Sequence, residues 1–192
     1  MKSRIYRQGA RADSVEATRT AILDAVDEVF LPAPGRPFSL DEVAERGGTT
    51  VQTILRHFGT KAGLIEAASV RGLARTQATR DDVVAGDLTA ITEYLGRHYE
   101  ETAAMVLRML AVEHQVPEVA RIAQQGREMH RAWVERVFAP QLAGVPARER
   151  RRRVAALVAV TDLLTWKVLT AEQGLRRGEY VRTVRELLEA IR

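Results

Sequence analysis

Residues 40–58 read LDEVAERGGTTVQTILRHF. Two short runs of helix-forming residues flank a pair of glycines, the pattern of a helix-turn-helix. Ser39 stands before the first run and Glu42 three residues further on, the spacing of a capping box that opens a helix. Gly47 and Gly48 end that helix, and Thr50 to His57 form the second. The first helix needs a small residue where the second crosses it, which Ala44 supplies. Four residues later the turn needs positive φ, which Gly48 tolerates. Val43, Val51, Ile54 and Phe58 then share one buried side.

With those residues turned inward, the outward face follows. In a helix-turn-helix the N-terminal part of the second helix enters the major groove, here Thr49, Thr50, Gln52, Thr53 and Arg56. Glutamine can pair with adenine, arginine with guanine, and a threonine methyl can meet the thymine methyl. Ser39 and Lys61 lie near the starts of two helices, where phosphates are favoured. Residues 1–12 carry Lys2, Arg4, Arg7 and Arg11 with no acid, and such a basic arm suits a polyanion. Arg4 and Arg7 are therefore added to the expected DNA contacts. The competing reading is a helical interaction module whose head docks a protein partner. Steep salt dependence separates the two, because only phosphate contacts release counterions.

Working outward, no segment alternates as a strand does, and Ala, Leu, Glu and Arg dominate. These are good helix formers. A first helix is predicted over Val15 to Val29, capped by Asp13 or Ser14. Leu31 to Pro37 stops it with three prolines and a glycine. Thr60 caps a fourth helix carrying Leu64, Ile65, Ala68, Val70 and Leu73. A polar stretch from Thr79 to Asp87 marks a change of domain. Further helices are predicted near 87–110, 117–139, 149–173 and 178–191. The expected fold is all-α: an N-terminal helix-turn-helix DNA-binding head plus a larger C-terminal helical bundle for ligand binding and dimerisation. Its divisions are a basic flexible arm over 1–12, the head with its connecting helix over 13–80, and the bundle over 81–192.

Composition narrows the function classes. The chain has 192 residues, 46% hydrophobic and 28% charged, enough for a sizeable core. It contains no cysteine, which excludes disulfides, zinc fingers and thiol nucleophiles. The longest uncharged stretch, Val137 to Ala147, falls far short of the ~18 apolar residues of a membrane span. No membrane association and a cytoplasmic location are expected. Phosphate-binding glycine motifs and a nucleophile elbow are missing, so neither an enzyme nor a cofactor is expected. His114 and His130 read as surface or core histidines, and no metal site is expected because no two histidines have ligand spacing.

The run Thr18-Arg-Thr-Ala-Ile-Leu-Asp-Ala25, then Leu40-Asp-Glu-Val-Ala-Glu45, then Thr53-Ile-Leu-Arg-His-Phe-Gly-Thr-Lys-Ala-Gly-Leu64 resembles the head of tetracycline-repressor-type (TetR) regulators. The resemblance covers residues 15 to about 70, and Thr161 to Lys167 also looks like a family C-terminal helix. It implies a homodimeric, all-helical transcription regulator, usually a repressor, released from a pseudo-palindromic double-stranded DNA operator by a small-molecule effector. By that likeness His57 and Lys61 hold phosphates, while Thr50, Gln52 and Thr53 form the reading face. Two positions depart from the pattern. Leu55 stands where many members have a tyrosine that touches DNA backbone, and Thr49 replaces the usual apolar turn residue.

In the bundle, a helix from Arg150 to about Ala171 is apolar on more than one face, so it must be covered on both sides. The last helix carries a simple stripe. Together they predict a four-helix dimer contact through Val154, Leu157, Val158, Thr161, Leu164, Val184 and Leu188; the alternative is a core helix of a monomer. Arg148 and Arg150 to Arg153 read as a solvated approach to that helix. Tyr94, His98, Met105, Met109, Met129, Trp133 and Trp166 are the candidate effector pocket, being large residues at helical spacings with a few polar groups. Plain core packing is the competing reading for each of them.

Overall fold

A computed structural model describes residues 2–32 and 36–191, with side chains from residue 13 onward in the first helix. All regular structure among the described residues is helical. The first helix, α1, spans Lys2–Phe30. It begins well ahead of the expected Val15, so the basic stretch continues the helix instead of preceding it as an arm. The side chains of Arg4 and Arg7 lie outside the described residues.

The head is completed by α2 (Leu40–Arg46), α3 (Val51–Phe58) and the first part of α4 (Lys61–Asp81). Ser39 and Thr60 cap α2 and α4 as expected, whereas Thr50, expected inside α3, stands before it as its cap. Ser39 Oγ accepts from Glu42 N at 3.1 Å while the Glu42 carboxylate accepts from Ser39 N at 2.7 Å. Thr50 Oγ1 accepts from Thr53 N at 3.2 Å, and Thr60 Oγ1 from Gly63 N at 3.0 Å. These caps satisfy amides that a helix start would otherwise leave without partners. Gly48 adopts φ 57° and Gly59 φ 74°, the conformation that glycine enters without steric cost. Ile22, Leu23, Val26, Val43, Ile54 and Leu64 close a separate small core.

The bundle comprises α5 (Leu88–Val112), α6 (Pro117–Val137), a short α7 (Ala139–Leu142), α8 (Ala147–Val160), α9 (Leu163–Lys167) and α10 (Arg177–Glu189). Its core joins Ile91, Leu95, Trp133, Val134, Val154, Leu157, Tyr180 and Val184. The long helix expected over 149–173 is broken. Thr161 turns its hydroxyl back to Leu157 O at 2.7 Å, and Asp162 caps a new helix by accepting from Leu164 N at 2.8 Å. Such side-chain bonds to nearby backbone compete with continued helix. A π-helical stretch, Val168–Glu172, then follows α9.

Burial corrects the expectation for the dimer residues. Val154, Leu157, Thr161, Val184 and Leu188 are all buried within their own chain, so they cannot face a partner. They fill the chain's own core. Val158 is half-buried, and of the expected set Leu164 alone is exposed, at 53%. Val168 and Leu187 are exposed with it.

No single helix among the described residues is long and apolar enough to cross a membrane. The bent pair Ala147–Val160 and Leu163–Glu172 passes by composition, and its apolar side chains Val154, Leu157 and Leu163 lie in the core.

Candidate nucleic-acid interface and effector cleft

The face of α3 opposite Ile54 is open. Thr50, Gln52, Leu55 and Arg56 are exposed, and Thr49, Thr53 and His57 are half-buried. Gln52 and Arg56 make no side-chain hydrogen bond or ion pair among the described residues, so their donors and acceptors are available. Thr50 and Thr53 differ, because their hydroxyls bond each other at 3.1 Å. Those oxygens hold the helix start, which leaves the threonine methyl groups for apolar contact. Thr49 N donates to Ala44 O at 2.9 Å, closing the turn.

The flanks of α3 carry the groups suited to phosphate. Lys61 donates to Phe38 O and sits 4.6 Å from the Phe38 ring centroid. An ammonium has three donors, so Lys61 is fixed in place with donors to spare. This contact also draws the start of α4 against the start of α2, close to Ser39. His57 packs beside Phe58, ring centroids 6.2 Å apart, while Arg19 of α1 covers Phe58 at 4.5 Å. Glu42 is the nearby acid, and its charge is committed to the Ser39 amide and Arg36. Those two contacts hold its carboxyl below the usual range.

The head is tied to the bundle through α4. Arg71, halfway along, donates to Asp24 at 2.7 Å and to Asp27 at 2.7 Å, both on α1. Arg75 adds a bond to Asp27 at 2.9 Å. At the C-terminal end of α4, Arg136 of α6 donates to Arg80 O at 2.6 Å. A guanidinium there satisfies a helix-end carbonyl and opposes the negative end of the dipole.

Between α4 and α5 lies an open-mouthed cleft of about 590 Å³. Thr76, Thr79 and Val83 line one wall, and Ala90, Tyr94, His98 and Thr102 the other. Of the seven expected pocket residues it takes Tyr94 and His98, stacked at 5.3 Å with ring planes 13° apart. Trp133 lies one layer deeper, 5.6 Å from Tyr94, and Trp166 packs on the far side against Tyr99. Met105, Met109 and Met129 do not line this cleft, and Met109 is buried. Helical spacing predicted a common face for residues that tertiary packing distributes over three layers.

The sequence reading passed over Arg80, which is only 4% exposed. Its guanidinium lies 5.4 Å from the Trp133 ring centroid, with Nη2 3.3 Å from His130 Nδ1. Because arginine only donates, Nδ1 must be the acceptor and the His130 proton sits on Nε2. That nitrogen faces Thr161 Oγ1 at 3.1 Å. Burial, reinforced by the Arg80 charge, pushes His130 down to about 3 and His98 down to about 4. Both rings are therefore neutral at physiological pH. His130 thus fits the core-histidine expectation.

Residues 22–68 match the family model of bacterial regulatory proteins, tetR family. Over nearly its whole length the chain also resembles solved structures. One is a transcriptional regulator from Rhodococcus sp. Rha1, with TM-score 0.60, 21% identity, and 93% of this chain and 95% of that one covered. Another is a protein from Mesorhizobium loti MAFF303099 described as a TetR-family transcriptional regulator, with TM-score 0.59, 15% identity and coverage of 92% and 96%. A TetR transcriptional regulator from Rhodococcus sp. RHA1 aligns with TM-score 0.50, 19% identity and coverage of 91% and 96%. At these identities the three likenesses establish the fold. Comparison with curated protein sequences finds no match.

The fold and its head define a helix-turn-helix DNA-binding transcriptional regulator. The matched head, residues 22–68, is similar to that of bacterial regulatory proteins of the tetR family.

Proposed function

We propose that this regulator is a repressor that binds a pseudo-palindromic operator as a homodimer and leaves it when a small molecule occupies the α4–α5 cleft. Gln52 and Arg56 read base edges, helped by the methyl groups of Thr50 and Thr53. Ser39, His57 and Lys61 hold phosphates, and Arg4 and Arg7 add charge from the basic N-terminal stretch. The exposed apolar residues Leu164, Val168 and Leu187, with half-buried Val158, form the surface that a second copy covers.

The observation that carries this reading is the double duty of α4. Arg71 and Arg75 clamp it to α1 of the head, while Thr76, Thr79 and Val83, at and just past its end, wall the cleft. A molecule that spreads α4 from α5 moves the head with it. Release then requires the ligand to bind the displaced state more tightly than the DNA-bound one.

Fluorescence anisotropy on DNA from the protein's own upstream region tests the proposal, with a scrambled fragment, two salt concentrations and a Gln52→Ala/Thr53→Ala variant. Selective binding that the variant loses supports the reading helix. Selective binding that survives the variant moves the reading surface elsewhere on the head.

A further inference from the structure

We infer that the effector is an organic carboxylate whose acid group pairs with Arg80, below the Tyr94–His98 wall of the cleft. This rests on the effector-release reading above and names the chemistry of the same site.

Arg80 is the one fully buried Arg, Lys, Asp or Glu among the described residues. A guanidinium cannot shed its proton at any physiological pH, and buried charges are ordinarily paired with an opposite charge. Among the described residues no carboxylate lies within ion-pair distance of it. Its neighbours are the neutral His130 ring and the face of Trp133. Nε and Nη1 are buried without a hydrogen-bond partner among the described residues, and so is Trp133 Nε1. These three atoms can only donate. The complementary group must therefore be an acceptor, and the uncompensated positive charge makes it an anion.

A carboxylate meets both demands, since it accepts up to four hydrogen bonds and carries the missing charge. The two histidine rings beside it add no positive charge, because His98 and His130 are both held neutral. Access comes from the cleft. Tyr94 and His98 line it, and Tyr94 also packs on Trp133, over which the guanidinium lies. The Tyr94 hydroxyl is held by one contact, to Thr79 at 3.3 Å. Rotation of the Tyr94–His98 pair would join cleft and cation. The cleft volume of about 590 Å³ lies in the range of small-molecule sites. An apolar body fits against Val83, Ala90 and the two rings. At the mouth Arg75 and Arg97 stand among Asp82, Glu93 and Glu101. These charges of both signs, all exposed except half-buried Glu93, screen one another, so selection for an anion falls to Arg80.

The test titrates the full-length protein with phenylacetate and octanoate, and with the neutral isosteres phenylacetamide and octanamide. Calorimetry and tryptophan emission report binding. At least one acid is expected to bind ten-fold or more tightly than its amide, and Arg80→Met to abolish that preference. Arg80→Gln, which keeps a polar donor without charge, should also abolish it, and Arg80→Lys should retain part. Without ligand, Arg80→Met should leave the Tm unchanged or raise it, because it removes an uncompensated buried charge. Equal binding of acid and amide, a preference that survives Arg80→Met and Arg80→Gln, no binding of any probe, or a large fall in Tm for both neutral variants would overturn the proposal. Operator affinity in the same samples separates this inference from the reading beneath it. Acid binding through Arg80 that leaves operator affinity unchanged sinks effector release but keeps the site. Release by an amide irrespective of Arg80 keeps the release mechanism and sinks the site.

Discussion

Arg71 Nη2 donates to the Asp27 carboxylate at 2.7 Å, across the junction of α4 and α1. The same guanidinium reaches Asp24 at 2.7 Å through Nη1, so one side chain spans a turn of α1. Its side chain is 17% exposed, against 27% for Asp27 and 53% for Asp24. Partial burial makes the Asp27 bond the stronger of the two, because exposed pairs are screened and contribute little. Asp27→Asn should lower unfolding stability by about 1–2 kcal/mol and Asp24→Asn by less than ~0.5 kcal/mol. Urea denaturation of the two variants checks the order, and equal losses would show that burial does not rank these pairs.

The head was largely legible in the sequence because its signals are local. A capping box, a glycine at positive φ and the threonine before α4 operate within four residues. The bundle was legible only as helices. The break at Thr161–Asp162 depends on two side chains that bond neighbouring backbone, and the hydrophobic period runs straight through it. Burial of Val154 and Val184 in one protomer depends on how α5, α6, α8 and α10 pack, which no single stripe encodes. Arg80 was invisible for the same reason. In sequence it is one arginine among many at a helix end, and only packing against α6 places it on Trp133 and His130.

Two glycines in α4 should respond oppositely to alanine. A Cβ on Gly63 would sit 2.3 Å from Phe58 O, a backbone atom that cannot move aside cheaply. Gly63→Ala should cost about 1–3 kcal/mol through overpacking and disturb the junction of α3 and α4. A Cβ on Gly72 meets nothing within 4 Å. Gly72→Ala should stabilise by ~0.5–1 kcal/mol, since it removes backbone freedom from the unfolded chain. Thermal unfolding of both variants reads the sign, and a stabilising Gly63→Ala would contradict the packing described.

Stability should fall on acidification below pH 6.5. His130 titrates near its ordinary 6.5 when unfolded and is pushed down to about 3 when folded. Between those values the unfolded chain binds a proton that the folded chain does not, so stability rises with pH there and declines as pH drops. For His130 the loss amounts to about 2 kcal/mol between pH 6.5 and 5. His98, pushed down to about 4, acts in the same direction down to that value. Replacing His130 by Gln should flatten this part of the profile, as followed by denaturation at a series of pH values. An unchanged slope would mean that the ring is not held neutral in the folded protein.

On DNA, Gln52 and Lys61 should fail differently. Gln52 is exposed on the groove-facing side of α3 without an internal partner, so Gln52→Ala should cost about 1–3 kcal/mol and relax specificity at one base pair. Lys61 presents its remaining donors from the start of α4. Lys61→Met should weaken binding to all sequences alike and reduce the slope of log K against log salt by about one. Competition assays across single-base operator variants, run at several salt concentrations, separate the two effects. A Lys61→Met variant that altered base preference would move that residue from phosphate contact to base reading.

The surface of association can be separated from the core by choice of residue. Leu164 and Val168 are 53% and 44% exposed, and Leu187 of α10 is 42% exposed. Each can accept a charge without entering the chain's own core. Leu164→Glu combined with Leu187→Glu should therefore give a folded monomer with unchanged helix content. A charge there has no partner once a second copy covers it. Val184 has no exposed surface, and Val184→Glu would place an unpaired carboxylate in the core, which should unfold the bundle. Sedimentation velocity with circular dichroism distinguishes these results. If Leu164→Glu/Leu187→Glu sediments as a dimer, the partner covers another face; if Val184→Glu folds as a monomer, that residue lies at the interface after all and the packing of α10 on α5 and α8 must differ.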